Sequence, residues 1–71
     1  MDWLNIPFVK EITSHTKPYE CELFLKNKWI RVVYTGISKN GLWFIEYDRE
    51  FILTKEEIIA QKDSLKYRVI N

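Results

Sequence analysis

YECELFLKNKWIRVVYTGISKNGLWFIEYDREFIL, residues 19–53, decides the fold, because its turn residues and side-chain alternation specify one antiparallel meander. Asn40-Gly41 lies between two β-rich runs, and both residues tolerate the positive φ that a two-residue hairpin loop demands. A turn centred there opposes Ser38 with Trp43, Gly36 with Ile45 and Tyr34 with Tyr47, and directly opposed residues share a face. One face then holds Tyr34, Gly36, Trp43, Ile45 and Tyr47. The other holds Thr35, Ile37, Phe44 and Glu46. A second turn at Asn27-Lys28 opposes Leu25 with Ile30, Leu23 with Val32 and Cys21 with Tyr34 on the first face. It opposes Lys26 with Trp29, Phe24 with Arg31, Glu22 with Val33 and Glu20 with Thr35 on the second. The two turns agree in parity, and a one-residue slip at either would drive Glu20, Glu22 and Arg31 into the core, where unpaired charge is costly.

The third reversal reads as a three-residue loop, Asp48-Arg49-Glu50, which opposes Tyr47 with Phe51 and Ile45 with Leu53. A two-residue loop would bury Glu50 on this register. With no glycine for the left-handed position, strain at Asp48 or Arg49, or a bulge nearby, is expected. Thr54-Lys55-Glu56-Glu57 has the Ser/Thr-x-x-Glu pattern in which hydroxyl and carboxylate cap one another's backbone amides, so a short helix starts there. Lys66 to Ile70 alternates again and reads as a last strand with Tyr67 and Val69 inward. The order is four strands, a helical turn and a fifth strand.

Seventy-one residues make a single domain, residues 1–71, near the lower limit for a core without disulfides or metal. Three tryptophans, four tyrosines and four phenylalanines are more than so small an interior encloses, so some face outward. Eleven basic and ten acidic side chains leave a net charge of +1, which provides no global field toward nucleic acid or an anionic membrane. Neither a leader-like segment nor a run of about 20 apolar residues is present, and the expected compartment is the cytoplasm. The lone Cys21 points inward as a small buried hydrophobe. His15 is also alone, reads as a solvated loop residue, and lacks the companions a metal site needs. No cofactor is expected.

Residues 1–17 form an arm that packs on the barrel of residues 18–70. Phe8-Val9-Lys10-Glu11-Ile12 fits a short strand along the barrel edge or, with Asn5 as cap and Pro7 in the first turn, one or two turns of helix, and the strand is favoured. Ser14 to Pro18 is a polar connection.

This arrangement resembles the small five-stranded antiparallel Src-homology and Tudor-like barrels, an all-β class with a short helical turn before the last strand. Residues 21–33, Cys-Glu-Leu-Phe-Leu-Lys-Asn-Lys-Trp-Ile-Arg-Val-Val, resemble the Tudor first hairpin. Phe44-Ile45-Glu46-Tyr47-Asp48 is similar to that family's hydrophobic-acidic-tyrosine strand, and Thr54 to Ile59 lies where it carries its helical turn. The match spans about 35 of the 71 residues. The resemblance implies an aromatic cage for methylated arginine or lysine in which Tyr47 and Trp29 would take part. The chain departs from the cage pattern at Leu25, Ile30 and Asp48-Arg49.

The register places Phe24, Trp29, Val33, Ile37, Leu42 and Phe44 opposite the main core, flanked by Lys26, Lys28, Arg31, Glu20, Glu22 and Glu46. Aromatics and arginine ringed by mixed charge suit a protein-binding hot spot, and Phe24, Lys26, Trp29, Arg31, Val33 and Phe44 are its expected partner-binding residues. The alternatives are that the N-terminal arm covers this face as ordinary packing, or that a second copy satisfies it through a two-fold interface as a homodimer. Single-stranded nucleic acid is the competing ligand, since aromatics beside Lys26, Lys28, Arg31 and Lys39 suit base stacking, but Glu20, Glu22 and Glu46 oppose phosphate. Catalysis has no support: Gly36 and Gly41 do not make a phosphate loop, no nucleophile has a partner histidine, and Glu56 and Glu57 are helix-start residues. The expected function is a small, non-catalytic binding or regulatory module. Its isoleucine, lysine and asparagine content suits an AT-rich bacterial or phage genome.

Overall fold

Three tight reversals fold the chain into the expected meander, each one or two residues from where turn chemistry places it. The structure, a computed structural model, describes residues 2–70. Its strands are β1 (Tyr19–Leu25), β2 (Lys28–Ser38), β3 (Gly41–Glu46), β4 (Arg49–Thr54) and β5 (Lys66–Val69). They form one antiparallel sheet in the order β4-β3-β2-β1-β5. Trp3–Asn5 is a 3-10 turn, and the helices are α1 (Pro7–Thr13) and α2 (Lys55–Ala60). β4 and β5 are the two edges, and no pairing joins them. The expected barrel is therefore present as an open five-stranded sheet.

The first turn is Lys26-Asn27, not Asn27-Lys28, and both residues have positive φ, 51° and 63°. Leu23 consequently faces Ile30 and Cys21 faces Val32. This is a two-residue shift from the expected register, which preserves the faces because side chains alternate with period two. The second turn is Lys39-Asn40, with Ser38 opposite Gly41. Gly41 opens β3 and must be glycine: a Cβ there would lie 2.3 Å from the Leu53 carbonyl oxygen.

One irregularity reverses the expected faces of β3. Gly36 opposes Trp43 but Tyr34 opposes Phe44, so Thr35 is an extra residue between them, a β-bulge. Its hydroxyl donates to the Trp43 carbonyl over 3.3 Å. Beyond the bulge, Leu42 and Phe44 point into the core, each fully buried, while Trp43 and Ile45 point outward. The expected inward placement of Trp43 and Ile45 is thereby corrected. The third turn is the two-residue Tyr47-Asp48, which puts Glu50 opposite the outward Ile45 rather than in the core. The three-residue loop fails because its argument assumed that Ile45 faced inward. Strain falls on Tyr47, at φ 59°.

The N-terminal segment forms a helix, not the favoured strand. Alternation would have placed Lys10 beside Phe8 and Ile12. One helical turn instead gathers Phe8, Val9 and Ile12 on a buried face and leaves Lys10 and Glu11 exposed, with Pro7 pre-set for the first turn. The N-cap is Ile6, without a side-chain bond, rather than Asn5. α1 lies over the inner side of the sheet, where Ile6, Phe8, Val9 and Ile12 join Cys21, Leu23, Val32, Tyr34, Leu42, Phe44 and Leu53 in one core. α2 starts as expected: Glu57 N–H donates to the Thr54 hydroxyl and Thr54 N–H to the Glu57 carboxylate, and Ile58 is buried against the core. Tyr67 packs against the core, whereas Val69, expected inward, is 53% exposed. Among the described residues no helix is long and apolar enough to cross a membrane.

Candidate functional site

The face opposite α1 carries an apolar strip that neither helix of the described residues covers. Strand pairing assembles it: Phe24 opposes Trp29, Val33 opposes Ile45, and Trp43 opposes Ile52. All six are half-buried. Phe24 and Trp29 meet edge to face at 5.3 Å between ring centres, an arrangement that aromatic quadrupoles favour. The Trp43 indole donates to the Ser38 hydroxyl over 3.2 Å, which ties the ring to the end of β2.

Basic side chains from β5 lie over these rings. The Arg68 guanidinium sits 4.0 Å from the centre of the Trp29 ring and Lys66 lies 5.6 Å from that of Phe24. Arg68 is also held by Glu22 at 2.8 Å, while Arg31 reaches Glu20 at 3.8 Å. Both pairs are reached by solvent, so they orient the arginines more than they stabilise the fold. Glu20 and Glu22 thus engage the two arginines of this face.

A trough of about 640 Å³ runs along β2 and β3, lined by Trp29, Arg31, Val33, Ile45 and Tyr47 among others. Tyr47 is 96% exposed and holds a left-handed backbone at φ 59°. That conformation costs a residue with a Cβ on the order of 1 kcal/mol, and the ring makes no packing contact that would offset it.

The expected partner-binding residues divide accordingly. Phe24, Trp29, Arg31 and Val33 lie on this face, and Lys26 stands exposed at the β1–β2 turn beside it. Phe44 does not belong: it is fully buried on the inner side, stacked on Phe51 and tilted against Tyr34. Leu42 is likewise core. Trp43 and Ile45 take the outward places because of the bulge, whose one sequence signal is Gly36 in the strand interior beside Thr35, while Ile52 is outward as the inward Phe51 and Leu53 require. The arm covers the opposite face, so the alternative in which it seals this strip is not realised.

His15, expected as a solvated loop residue, is half-buried. Its ring stacks on Tyr19 at 3.7 Å and its Nε2 lies 3.3 Å from the Tyr67 hydroxyl, which ties the connection after α1 to β1 and β5. Burial raises the Tyr67 hydroxyl, assisted by the neighbouring Glu11 carboxylate, and burial raises Tyr19. The Cys21 thiol is buried and pushed up to about 11 by desolvation. A protonated, enclosed thiol of this kind is a poor nucleophile. Among the described residues no three of His, Cys, Asp and Glu stand together as metal ligands.

Compared with protein-family models, curated proteins and solved structures, the chain matches none of them significantly.

Proposed function

We propose that this chain is a non-catalytic protein-binding module of the small Src-homology and Tudor-like type, which engages a partner through the outer face of its sheet. The observation that carries the proposal is the half-buried strip of Phe24, Trp29, Val33, Trp43, Ile45 and Ile52, which α1 leaves open and over which only the Lys66 and Arg68 side chains reach at the Phe24–Trp29 end. Large, rigid rings bury much area at little entropic cost, and a mixed-charge rim around them matches the anatomy of hot spots. Tyr47, strained and almost wholly exposed, extends the strip as an anchor at one end of the trough. The favoured partner presents an apolar surface with hydrogen-bonding groups at its margin. The nucleic-acid reading has weaker support, because incoming phosphate would compete with Glu20 and Glu22 for Arg31 and Arg68. The order of strands, with a short helix between β4 and β5, supports the structural class.

The test compares the two faces. Trp29→Ala and Trp43→Ala should keep a cooperative melt yet lose a protein that the wild-type chain retains from a host lysate, and purified partner should bind wild type but neither variant in calorimetry. Phe44→Ala, by contrast, should lose on the order of 3–5 kcal/mol of stability, as core phenylalanine truncations do. Partner retention unchanged in both tryptophan variants, or unfolding of both, would refute the proposal.

A further inference from the structure

β5 is an edge strand, and the directions of its backbone groups follow from the hairpin beside it. Lys26 and Asn27, both at positive φ, close a two-residue loop, so Leu25 and Lys28 exchange both backbone bonds across the turn. Odd-numbered residues of β1 therefore direct their N–H and C=O toward β2, and even-numbered ones toward β5. Glu22 and Phe24 oppose Arg68 and Lys66, so the backbone groups of those two β5 residues are committed to β1. The N–H and C=O of Tyr67 and Val69 point the other way, where no strand of the described chain lies. Such a row is a template for a further strand, and β5 contains no proline to interrupt it.

The two sides of this edge differ in chemistry. On the inner side a cleft of about 600 Å³ lies between β5 and the start of α1, with an apolar lining of Ile6, Pro7, Phe8, Leu65 and Tyr67. Asp2, Glu11, Lys62 and Asp63 also line it, an excess of negative charge that disfavours a carboxylate inside. On the outer side stand Lys66 and Arg68, over the rings of Phe24 and Trp29. Lys66 pairs with no carboxylate among the described residues, and Arg68 donates to Glu22 through Nε, one of several guanidinium donors. Directly opposed residues share a face. A strand added to β5 thus directs the residue opposite Tyr67 toward the apolar cleft and sets its two neighbours beside Lys66 and Arg68. The same cations disfavour β5 of a second copy: a two-fold pairing centred on Tyr67 opposes Lys66 with Arg68, and one centred on Arg68 opposes that residue with itself. The other edge, β4, borders a trough lined by Lys26, Lys28, Glu46, Arg49, Glu50 and Glu57, whose mixed signs select no ligand.

We infer that β5 is a docking edge for an acidic peptide, which adds in extended form as a sixth strand with an apolar residue inward and a carboxylate on either side of it. Backbone bonds to Tyr67 and Val69 supply affinity, and the acidic–apolar–acidic alternation supplies selectivity. The site is the sheet edge and its inner cleft, so it stands apart from the outer strip, although Lys66 and Arg68 border both.

Nuclear magnetic resonance on the full, isotope-labelled chain tests this by titration with a capped peptide that has Glu-Leu-Glu at its centre and serine flanks. Saturable shifts should appear at the Tyr67 and Val69 amides and along the cleft, with slowed hydrogen exchange at those two amides. The same peptide with Lys-Leu-Lys at its centre should not bind. Lys66→Glu should weaken the acidic peptide about tenfold, the scale of turning an exposed attraction into a repulsion, with circular dichroism establishing that the variant is folded. Trp43→Ala, which the partner-binding proposal expects to lose its partner, should still take the peptide, so the two readings fail separately. The inference is overturned by a wild type that does not bind the acidic peptide, by equal affinity for the lysine peptide, by undiminished binding in folded Lys66→Glu, or by shifts confined to the outer strip. Protection of the Tyr67 and Val69 amides that grows with protein concentration in the absence of peptide would make a second copy the occupant and overturn it as well.

Discussion

Lys26 and Asn27 both adopt left-handed backbone, at φ 51° and 63°, as the tight hairpin between β1 and β2 requires. Asparagine tolerates this conformation, because its short amide side chain bonds locally, but lysine has no such compensation. Lys26→Gly should therefore stabilise the fold by about 0.5–1 kcal/mol, after the entropy that glycine adds to the unfolded chain is deducted. Thermal unfolding reads this as a rise of several degrees, and an unchanged or lower midpoint would show that Lys26 makes a stabilising contact. Tyr47 occupies the equivalent conformation with its ring in solvent. Asn27 and Asn40 mark their loops in the sequence, but each occupies the second loop position rather than the first, so both turns lie one residue earlier than expected.

At the scale of elements, the bulge at Thr35 decides what each face of the sheet carries. Its single extra residue rotates β3 by one position against β2, so Phe44 enters the core and Trp43 leaves it. Deleting Thr35 should force Phe44 outward and cost on the order of 3–5 kcal/mol, the scale of losing a core phenylalanine. Thr35→Ala keeps the residue count and removes only the hydroxyl bond to the Trp43 carbonyl, so it should cost about 1 kcal/mol. Urea denaturation separates the two, and equal losses would mean that the hydroxyl, not the extra residue, sets the register. The sequence reading placed Phe51 and Leu53 inward correctly because two errors cancelled: the missed bulge inverted β3, and the three-residue loop inverted β4 back. α2, by contrast, was legible in full, since its capping box is a local exchange of hydrogen bonds among residues 54–57.

For the whole molecule, one buried core concentrates groups that resist losing a proton. Burial pushes the Cys21 thiol from an ordinary value near 9 to about 11 and raises the hydroxyls of Tyr19, Tyr34 and Tyr67. The folded chain holds these protons over a range in which the unfolded chain has already released them. Their contribution to stability is thus complete below the unfolded values and is lost as pH rises through the folded ones, between about 9 and 11 for Cys21. Each group contributes at most about 1.4 kcal/mol per pH unit across its window. Urea midpoints should fall steadily from about pH 9 upward, and a midpoint independent of pH up to 10.5 would contradict this. The thiol should also resist iodoacetamide in the native state at neutral pH and react once unfolded.

The amino-acid sequence by itself determined the number and order of strands, the antiparallel meander, the capped helix before the last strand and the two faces of β1 and of β2 as far as the bulge at Thr35, beyond which Gly36 and Ile37 lie on the faces opposite to those expected. All of these follow from period-two alternation and from contacts between residues close along the chain. Only the tertiary structure decided the conformation of residues 7–13, the faces of β3 and the open state of the sheet. A helix at the N-terminus is selected by what it packs upon, a bulge by the partner strand it must match, and closure by whether two edges far apart in sequence meet. Those are long-range choices, which local patterns of side chains leave open.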